Sequence, residues 1–221
     1  MKTVAIVDYG MGNLRSVAKA VEHVAPGASV LVTADPAVVG AAERVIVPGQ
    51  GAMPDCMREL DARGLAEAVV QAAAEKPFLG ICIGLQMLFE HSEEGDVAGL
   101  GIFPGRVRRF PEAAMHDAAG VRLKVPHMGW NKVVTGAAGG AMFAGLDGAY
   151  FYFAHSYAVR TPEPSLVAGV TRYGGDVVAA VARHTVWGVQ FHPEKSSTAG
   201  ELLLRNFLRA ARADGQREGR A

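Results

Sequence analysis

The sequence predicts an α/β fold built on a doubly wound, largely parallel central sheet, and three patterns in it carry that prediction. Short, nearly continuous apolar runs recur at 4–7, 44–47, 77–81 and 186–191, as expected of strands buried on both faces. Between the early runs lie stretches of helical spacing at about 13–25 and 55–75, so strand and helix alternate as in βαβ units. From about 100 to 183 the character changes to short strand candidates joined by glycine and proline turns. That region predicts an antiparallel or mixed addition to the sheet.

Taken in order, VAIV at 4–7 opens the sheet and DYGMGN at 8–13 leaves it as a loop. With glycines only at 10 and 12 and Arg15 where a third would stand, this loop is not a dinucleotide fingerprint. After the helix over 13–25, RVIV at 44–47 is the next strand, and PGQG at 48–51 follows it. Its two glycines free the backbone to turn an amide toward an anion. The helical stretch 55–75 carries Cys56. PFLGI at 77–81 is a buried strand, and IGLQMLFEH from 83 changes to helical spacing, which puts Cys82 on the turn between them. Gly80 and Gly84 permit a tight turn there, the pattern of a nucleophile elbow. EHSEEGD at 90–96 reads as a solvated helix end. The middle region offers GRVRRF (105–110), RLKVP (122–126), NKVV (131–134), AYFYFAHSYAV (149–159) and VVAAVA (177–182) as strands, with loops at 111–120 and 136–141. VWGVQFHPEKSS at 186–197 is a final strand ending in His192, Pro193 and Glu194. No linker or repeat divides the chain, so residues 1–211 are expected to form one domain and the charged 212–221 a frayed tail.

Composition narrows the function classes. At 221 residues with 50% hydrophobic and 20% charged residues, the chain is long enough to bury a sizeable core. Lys+Arg and Asp+Glu both total 22, so no net basic field attracts nucleic acid or anionic lipid. Two cysteines make no disulfide framework and imply a reducing compartment. No apolar stretch approaches a membrane span and no signal peptide precedes the first strand. A cytoplasmic protein is expected.

The elbow supplies chemistry. A thiol at a strand-to-helix turn sits beside the first free amides of a helix, which favour thiolate, and the Ile83 amide is placed to face a developing oxyanion. The plain alternative is a structural cysteine, a residue type often buried for packing alone. A nucleophile needs a base and the base an orienter. Proline holds the preceding His192 extended, so His192 and Glu194 project to one side and pair. Among the seven histidines, His184, His155 and His127 are rivals; His184 precedes the apolar strand, where a surface role is expected, and His23, His91 and His116 lie in helix or loop settings that offer no paired carboxylate after a strand. His192 and Glu194 lack a third ligand at metal-binding spacing, so no metal is expected.

PGQGAM (48–53), GICIGLQ (80–86), PHMGWN (126–131) and FHPEKSS (191–197) run in order over nearly the whole chain, about Val4 to about Leu208. In these segments the sequence resembles the class I glutamine amidotransferases. VDYGMGN, PHMGWN and HPEKSS narrow the resemblance to the glutaminase subunits of imidazole glycerol phosphate synthase. The resemblance implies hydrolysis of L-glutamine to glutamate and ammonia by a Cys82–His192–Glu194 triad, with no cofactor. It makes the Gln50 and Ile83 amides the oxyanion hole, although Gln50 stands where the family is often apolar. Gly49, Gln86, Glu94 and the backbone around His155, Ser156 and Tyr157 would hold the substrate. Asn13, Trp130, Asn131, Tyr152 and Lys195 would face a separate TIM-barrel cyclase or the ammonia passage into it. That heterodimeric partner would convert ammonia and a nucleotide to imidazole glycerol phosphate and an aminoimidazole carboxamide nucleotide, in histidine biosynthesis. The same fold could instead feed another synthase, such as those making anthranilate, vitamin B6 or purines; PHMGWN and HPEKSS speak against this. A catalytically silent partner-binding module is the other alternative, and the complete triad speaks against it.

Overall fold

The computed structural model describes residues 2–111 and 115–210. The expected tail at 212–221 and residues 112–114 of the 111–120 loop lie outside the described residues. The first half runs β1 (Thr3–Val7), α1 (Leu14–Val24), β2 (Ser29–Thr33), α2 (Pro36–Ala41), β3 (Arg44–Gly49), α3 (Met53–Ala62), α4 (Leu65–Glu75), β4 (Phe78–Cys82) and α5 (Ile83–Gln86). Then come β5 (Phe89–Ser92), β6 (Val97–Ala98), β7 (Phe103–Arg109), β8 (His127–Lys132), β9 (Val134–Thr135), β10 (Tyr150–His155) and β11 (Tyr157–Arg160). β12 (Val167–Arg172), β13 (Asp176–Arg183), β14 (Val186–Val189) and α6 (Ser197–Arg209) complete the order.

An eight-stranded sheet in the order β2-β1-β3-β4-β14-β13-β12-β9 forms the frame. β2, β1, β3, β4 and β14 pair in parallel, and β13, β12 and β9 extend the sheet antiparallel. This is the doubly wound sheet with an antiparallel addition that the apolar runs predict. Every residue of β3, β4 and β14 is buried, which is why those strands read as continuous apolar runs. The helices fall into two groups, α1 against α6 and α2 and α3 against α4, as two covered faces require. Two smaller sheets, β10-β8 and β11-β7-β5-β6, stand beside the frame.

Several expected elements differ, each for a local reason. The helical stretch 55–75 is two helices, because Gly64 takes a left-handed φ of 65° between them. The helix expected from 83 onward ends at Gln86, and Phe89–Ser92 pairs with β7 instead. Ile83 to Phe89 is buried on all sides, so its apolar spacing carried no information about which face a helix would present. EHSEEGD is therefore a strand and turn rather than a helix end. RLKVP forms no strand, only a bridge from Arg122 to His116. The last strand stops at Val189, two residues before the expected end. β2, α2, β6, β12 and α6 had no counterpart in the sequence reading. α2 is a single six-residue turn pair started by Pro36 and by the Asp35 carboxylate, which accepts from the Ala37 amide at 2.8 Å.

Register places the site. Pro48 pairs with Ile81 and Gly49 with Cys82, while Val189 pairs with Ile81 from the other side. The carboxyl ends of three adjacent parallel strands thus bring Gly49, Cys82 and the Gln190–His192 segment to one edge of the sheet. That edge is where open α/β sheets place their ligands.

Candidate active site

Cys82 ends β4 and precedes α5 with φ 57° and ψ −109°, a backbone conformation that L residues avoid. The turn is held by close backbone packing: a side chain on Gly84 would drive into the Val47 carbonyl, and one on Gly80 into the Gly84 carbonyl. Both glycines therefore serve the elbow the sequence predicts. Ile83 opens α5, so its amide belongs to the group that a helix leaves unpaired. Gln190, fully buried, donates from Nε2 to the Cys82 sulfur at 3.7 Å.

His192 lies one residue past Phe191 in the turn that follows β14, its amide donating to the Tyr152 carbonyl at 2.9 Å. Its ring reaches Cys82 on one side, and its Nδ1 meets Glu194 Oε1 at 2.9 Å on the other. Pairing with Glu194 comes through a one-turn 3-10 segment, Pro193–Lys195, rather than through strand alternation. Both side chains are shielded, 6% exposed for His192 and 1% for Glu194. Burial by itself would disfavour a charged ring. The hydrogen bonds to Cys82 and Glu194 outweigh it and lift the His192 pKa to about 9.

The PGQG turn is pinned from behind. Tyr9 donates its hydroxyl to the Pro48 carbonyl at 2.7 Å, and the Cys56 thiol donates to the Gln50 carbonyl at 3.6 Å. Burial pushes the Cys56 thiol up to about 11, so it stays a protonated donor. Gly49 packs too closely on Ile83 and the Tyr9 hydroxyl to admit a side chain.

A cavity of about 220 Å³ opens over Cys82. Of the residues singled out in the sequence, it gathers Gln50, Cys82, Ile83, Gln86, Glu94, His155, Ser156, Tyr157, His192 and Lys195 on its walls. Glu94 reaches it from the strand-and-turn segment, with Oε2 accepting from the Met53 amide at 2.9 Å. Gln86 donates to Gln190 Oε1 at 3.1 Å and to the Tyr157 carbonyl at 3.3 Å. Gly49 lies behind the wall, and Glu194 behind His192. Asn13, Trp130, Asn131 and Tyr152 stand outside the cavity. Trp130 and Tyr152 meet edge to face at 6.2 Å across the β8–β10 pair, on the same outer face as exposed Met128 and Tyr150. Asn131 is turned to the opposite face of β8, where its amide donates to the Arg172 carbonyl at 2.9 Å. Asn13 sits just before α1 and makes no capping hydrogen bond with its side chain.

Sequence reasoning passed over Gln190, Pro126, Met128 and Ala154. Gln190 had a legible signal: a polar residue at the end of an otherwise apolar strand, next to His192. Its exposure is 0%, and a buried amide in such a place is there to hydrogen-bond. Among the described residues no group of three or more His, Cys, Asp or Glu is placed to hold a metal, and no helix is long and apolar enough to cross a membrane.

The family model for class I glutamine amidotransferases matches residues 5–211. The imidazole glycerol phosphate synthase subunit HisH of Aromatoleum aromaticum is 64% identical over 209 residues, covering 94% of this chain and 98% of that one. The subunit of the same name from Dechloromonas aromatica is 61% identical over 208 residues, 94% of this chain and 96% of its own. Among solved structures, a putative GMP synthase subunit from Thermoplasma acidophilum superposes with a TM-score of 0.68 at 17% identity, covering 94% of this chain and 92% of its own. PurLQS from Thermotoga maritima superposes with a TM-score of 0.67 at 19% identity, with 94% and 97% covered. These two likenesses concern the fold.

Proposed function

The chain belongs to the class I glutamine amidotransferase family, and we propose that it is the glutamine-hydrolysing subunit of an imidazole glycerol phosphate synthase in histidine biosynthesis. The reaction is hydrolysis of the side-chain amide of L-glutamine to glutamate and ammonia. The observation that carries this assignment to residues is the strained Cys82 elbow flanked by His192, which Glu194 holds at 2.9 Å.

The Cys82 sulfur attacks the amide carbon, and the carbonyl oxygen takes the negative charge of a tetrahedral intermediate. The amides of Ile83 and Gln50 face that oxygen. His192 has taken the thiol proton; it hands this proton to the departing nitrogen, so ammonia leaves and a thioester remains. His192 then takes a proton from water, whose oxygen attacks the thioester carbon. Collapse of the second intermediate returns the sulfur with that proton and releases glutamate. Glu194 keeps the ring in the tautomer with hydrogen on Nδ1 and stabilises the imidazolium formed in both halves. Gln86, Glu94 and the Ser156–Tyr157 backbone hold the amino acid end of the substrate, and their place on the cavity wall supports this.

Ammonia passes to a cyclase subunit. The surface for that partner is the outer face of β8 and β10, where Met128, Trp130 and Tyr150 are 63%, 53% and 58% exposed. Aromatic side chains of this kind anchor protein interfaces. Lys195 lines the cavity mouth, and Asn13, just before α1, is assigned to the same partner.

The test is an assay of the reconstituted complex with Cys82→Ala. Glutamine-dependent synthesis is expected to vanish while synthesis from ammonium persists, since the thiol serves only amide hydrolysis. Loss of both activities in a well-folded complex would contradict the assignment.

A further inference from the structure

Two buried or half-buried side chains have no part in this chemistry, yet they are tied to it. His127 and Asn131 lie on the inner face of β8, opposite Trp130. Asn131 Nδ2 meets His127 Nε2 at 3.3 Å, and His127 Nδ1 meets His155 Nε2 at 2.9 Å. His155 Nδ1 meets the Tyr157 carbonyl at 2.7 Å. That carbonyl also accepts from Gln86, which donates to Gln190, which donates to the Cys82 sulfur. An unbroken line of hydrogen bonds thus runs from β8 to the nucleophile.

Its directions are fixed by counting protons. A carbonyl can only accept, so His155 carries its hydrogen on Nδ1. Burial pushes the His155 pKa down to about 4 and the His127 pKa to about 3, so both rings are neutral. His155 Nε2 is then an acceptor and His127 Nδ1 must donate to it. His127 Nε2 is in turn an acceptor and takes one amide hydrogen of Asn131, whose other hydrogen goes to Arg172. The His127 ring is held between Phe153 and Tyr173, with centroids at 4.7 and 3.9 Å and planes within 20° and 21°. It has little freedom to turn.

We propose that His127 and Asn131 are positioning residues of the glutamine pocket, acting through His155 to fix the Tyr157 carbonyl and, with it, Gln86. The inference rests on the glutaminase reading above. Tyr157 and Gln86 both line the cavity, so loosening them weakens the grip on glutamine, whereas Cys82 and His192 keep their own supports. The signature is a raised KM for glutamine at nearly constant kcat.

His127→Phe keeps the stacking surface and removes the donor to His155; His127→Gln keeps a donor and an acceptor; Asn131→Ala removes the outer link. Each is assembled with the cyclase and assayed with nucleotide bound, at varied glutamine and separately with ammonium. His127→Phe is expected to raise KM roughly tenfold with kcat within about threefold, since a buried acceptor is left unpaired. His127→Gln should recover most of the loss, and Asn131→Ala should give a smaller rise. Rates from ammonium should match wild type. An unchanged KM, a fall in kcat alone, an equal defect in the Gln variant, or a loss of ammonium-driven synthesis would each overturn the proposal. If His127→Phe does not fold, Asn131→Ala decides by the same readout. A wild-type complex that uses ammonium but not glutamine would sink the glutaminase reading itself; an active wild type with indifferent variants would sink only the positioning role.

Discussion

Three buried histidines meet at the site, and their environments pull in opposite directions. His192 gains partners for its charged form and rises to about 9, whereas His155 and His127 lose hydration without gaining an anion and fall to about 4 and about 3. The consequences for stability have opposite signs. A raised pKa contributes stability that is complete below about 6.5, the unfolded value, and is lost as pH climbs through about 9. The two lowered values contribute stability present above about 6.5 and lost as the pH falls, because the unfolded chain takes up protons that the folded chain refuses. Well below about 6.5 His192 is protonated in both states and adds no slope, and nearer 6.5 its contribution is common to wild type and a His127 variant. Each lowered histidine adds up to about 1.4 kcal/mol per pH unit. Urea unfolding at several pH values between about 6.5 and about 4.5 should therefore show His127→Phe losing less stability than wild type; parallel curves would mean the rings are not held neutral. At the same scale, Glu194→Gln is expected to cost about 10³- to 10⁴-fold in glutamine turnover, less than the roughly 10⁶-fold loss from Cys82→Ala. Glutamate release by the complex measures both, and equal losses in folded variants would make Glu194 more than an orienter.

At the scale of elements, the elbow depends on glycines that bring β3, β4 and α5 into backbone contact. Gly84→Ala would place a methyl group against the Val47 carbonyl, a backbone atom that cannot yield. A loss of about 3 kcal/mol or more is expected, read as a lowered denaturation midpoint, together with lost activity as Cys82 shifts. A midpoint equal to wild type would show that the turn has slack. The elbow was legible because a strand buried on both faces and a glycine-flanked thiol are properties of sequence alone. The same holds for PGQG and for His192 followed by Pro193 and Glu194. What was not legible depended on pairing with distant residues. Phe89–Ser92 became a strand only because β7 stands alongside it. Glu94 looked like surface because its partner, the Met53 amide, is 41 residues away. The line from Asn131 to Cys82 joins residues from four separate stretches, 82–86, 127–131, 155–157 and Gln190, and no window of sequence contains it.

For the whole molecule, the 8–13 loop, proposed to face the partner, and the PGQG turn, proposed to carry an oxyanion donor, are neighbours. The 8–13 loop packs on PGQG: a side chain on Gly12 would meet Pro48, and one on Gly51, at φ 105°, would meet the Met11 methyl. The loop that ends at Asn13 thus touches the PGQG turn directly. The isolated chain is expected to hydrolyse glutamine slowly, and the cyclase with bound nucleotide to accelerate it. An oxyanion donor out of place costs about 10²- to 10³-fold, so a shift of this one peptide is large enough. Glutamate release measured for the chain alone, with cyclase, and with cyclase plus nucleotide checks the expectation; full activity in the first would exclude gating by the partner while leaving the Cys82 chemistry intact.

The two tryptophans of the chain divide the molecule in a way that is useful optically. Trp187 is 4% exposed, its ring 5.9 Å from Phe207 between the sheet and α6, whereas Trp130 stands 53% exposed on the outer face of β8. Iodide should therefore quench one emitter and spare the other. Docking of the cyclase on β8 would remove the quenchable fraction and shift its emission to the blue, and unfolding alone would expose the second. One cuvette could then follow assembly and folding as separate signals, without a label.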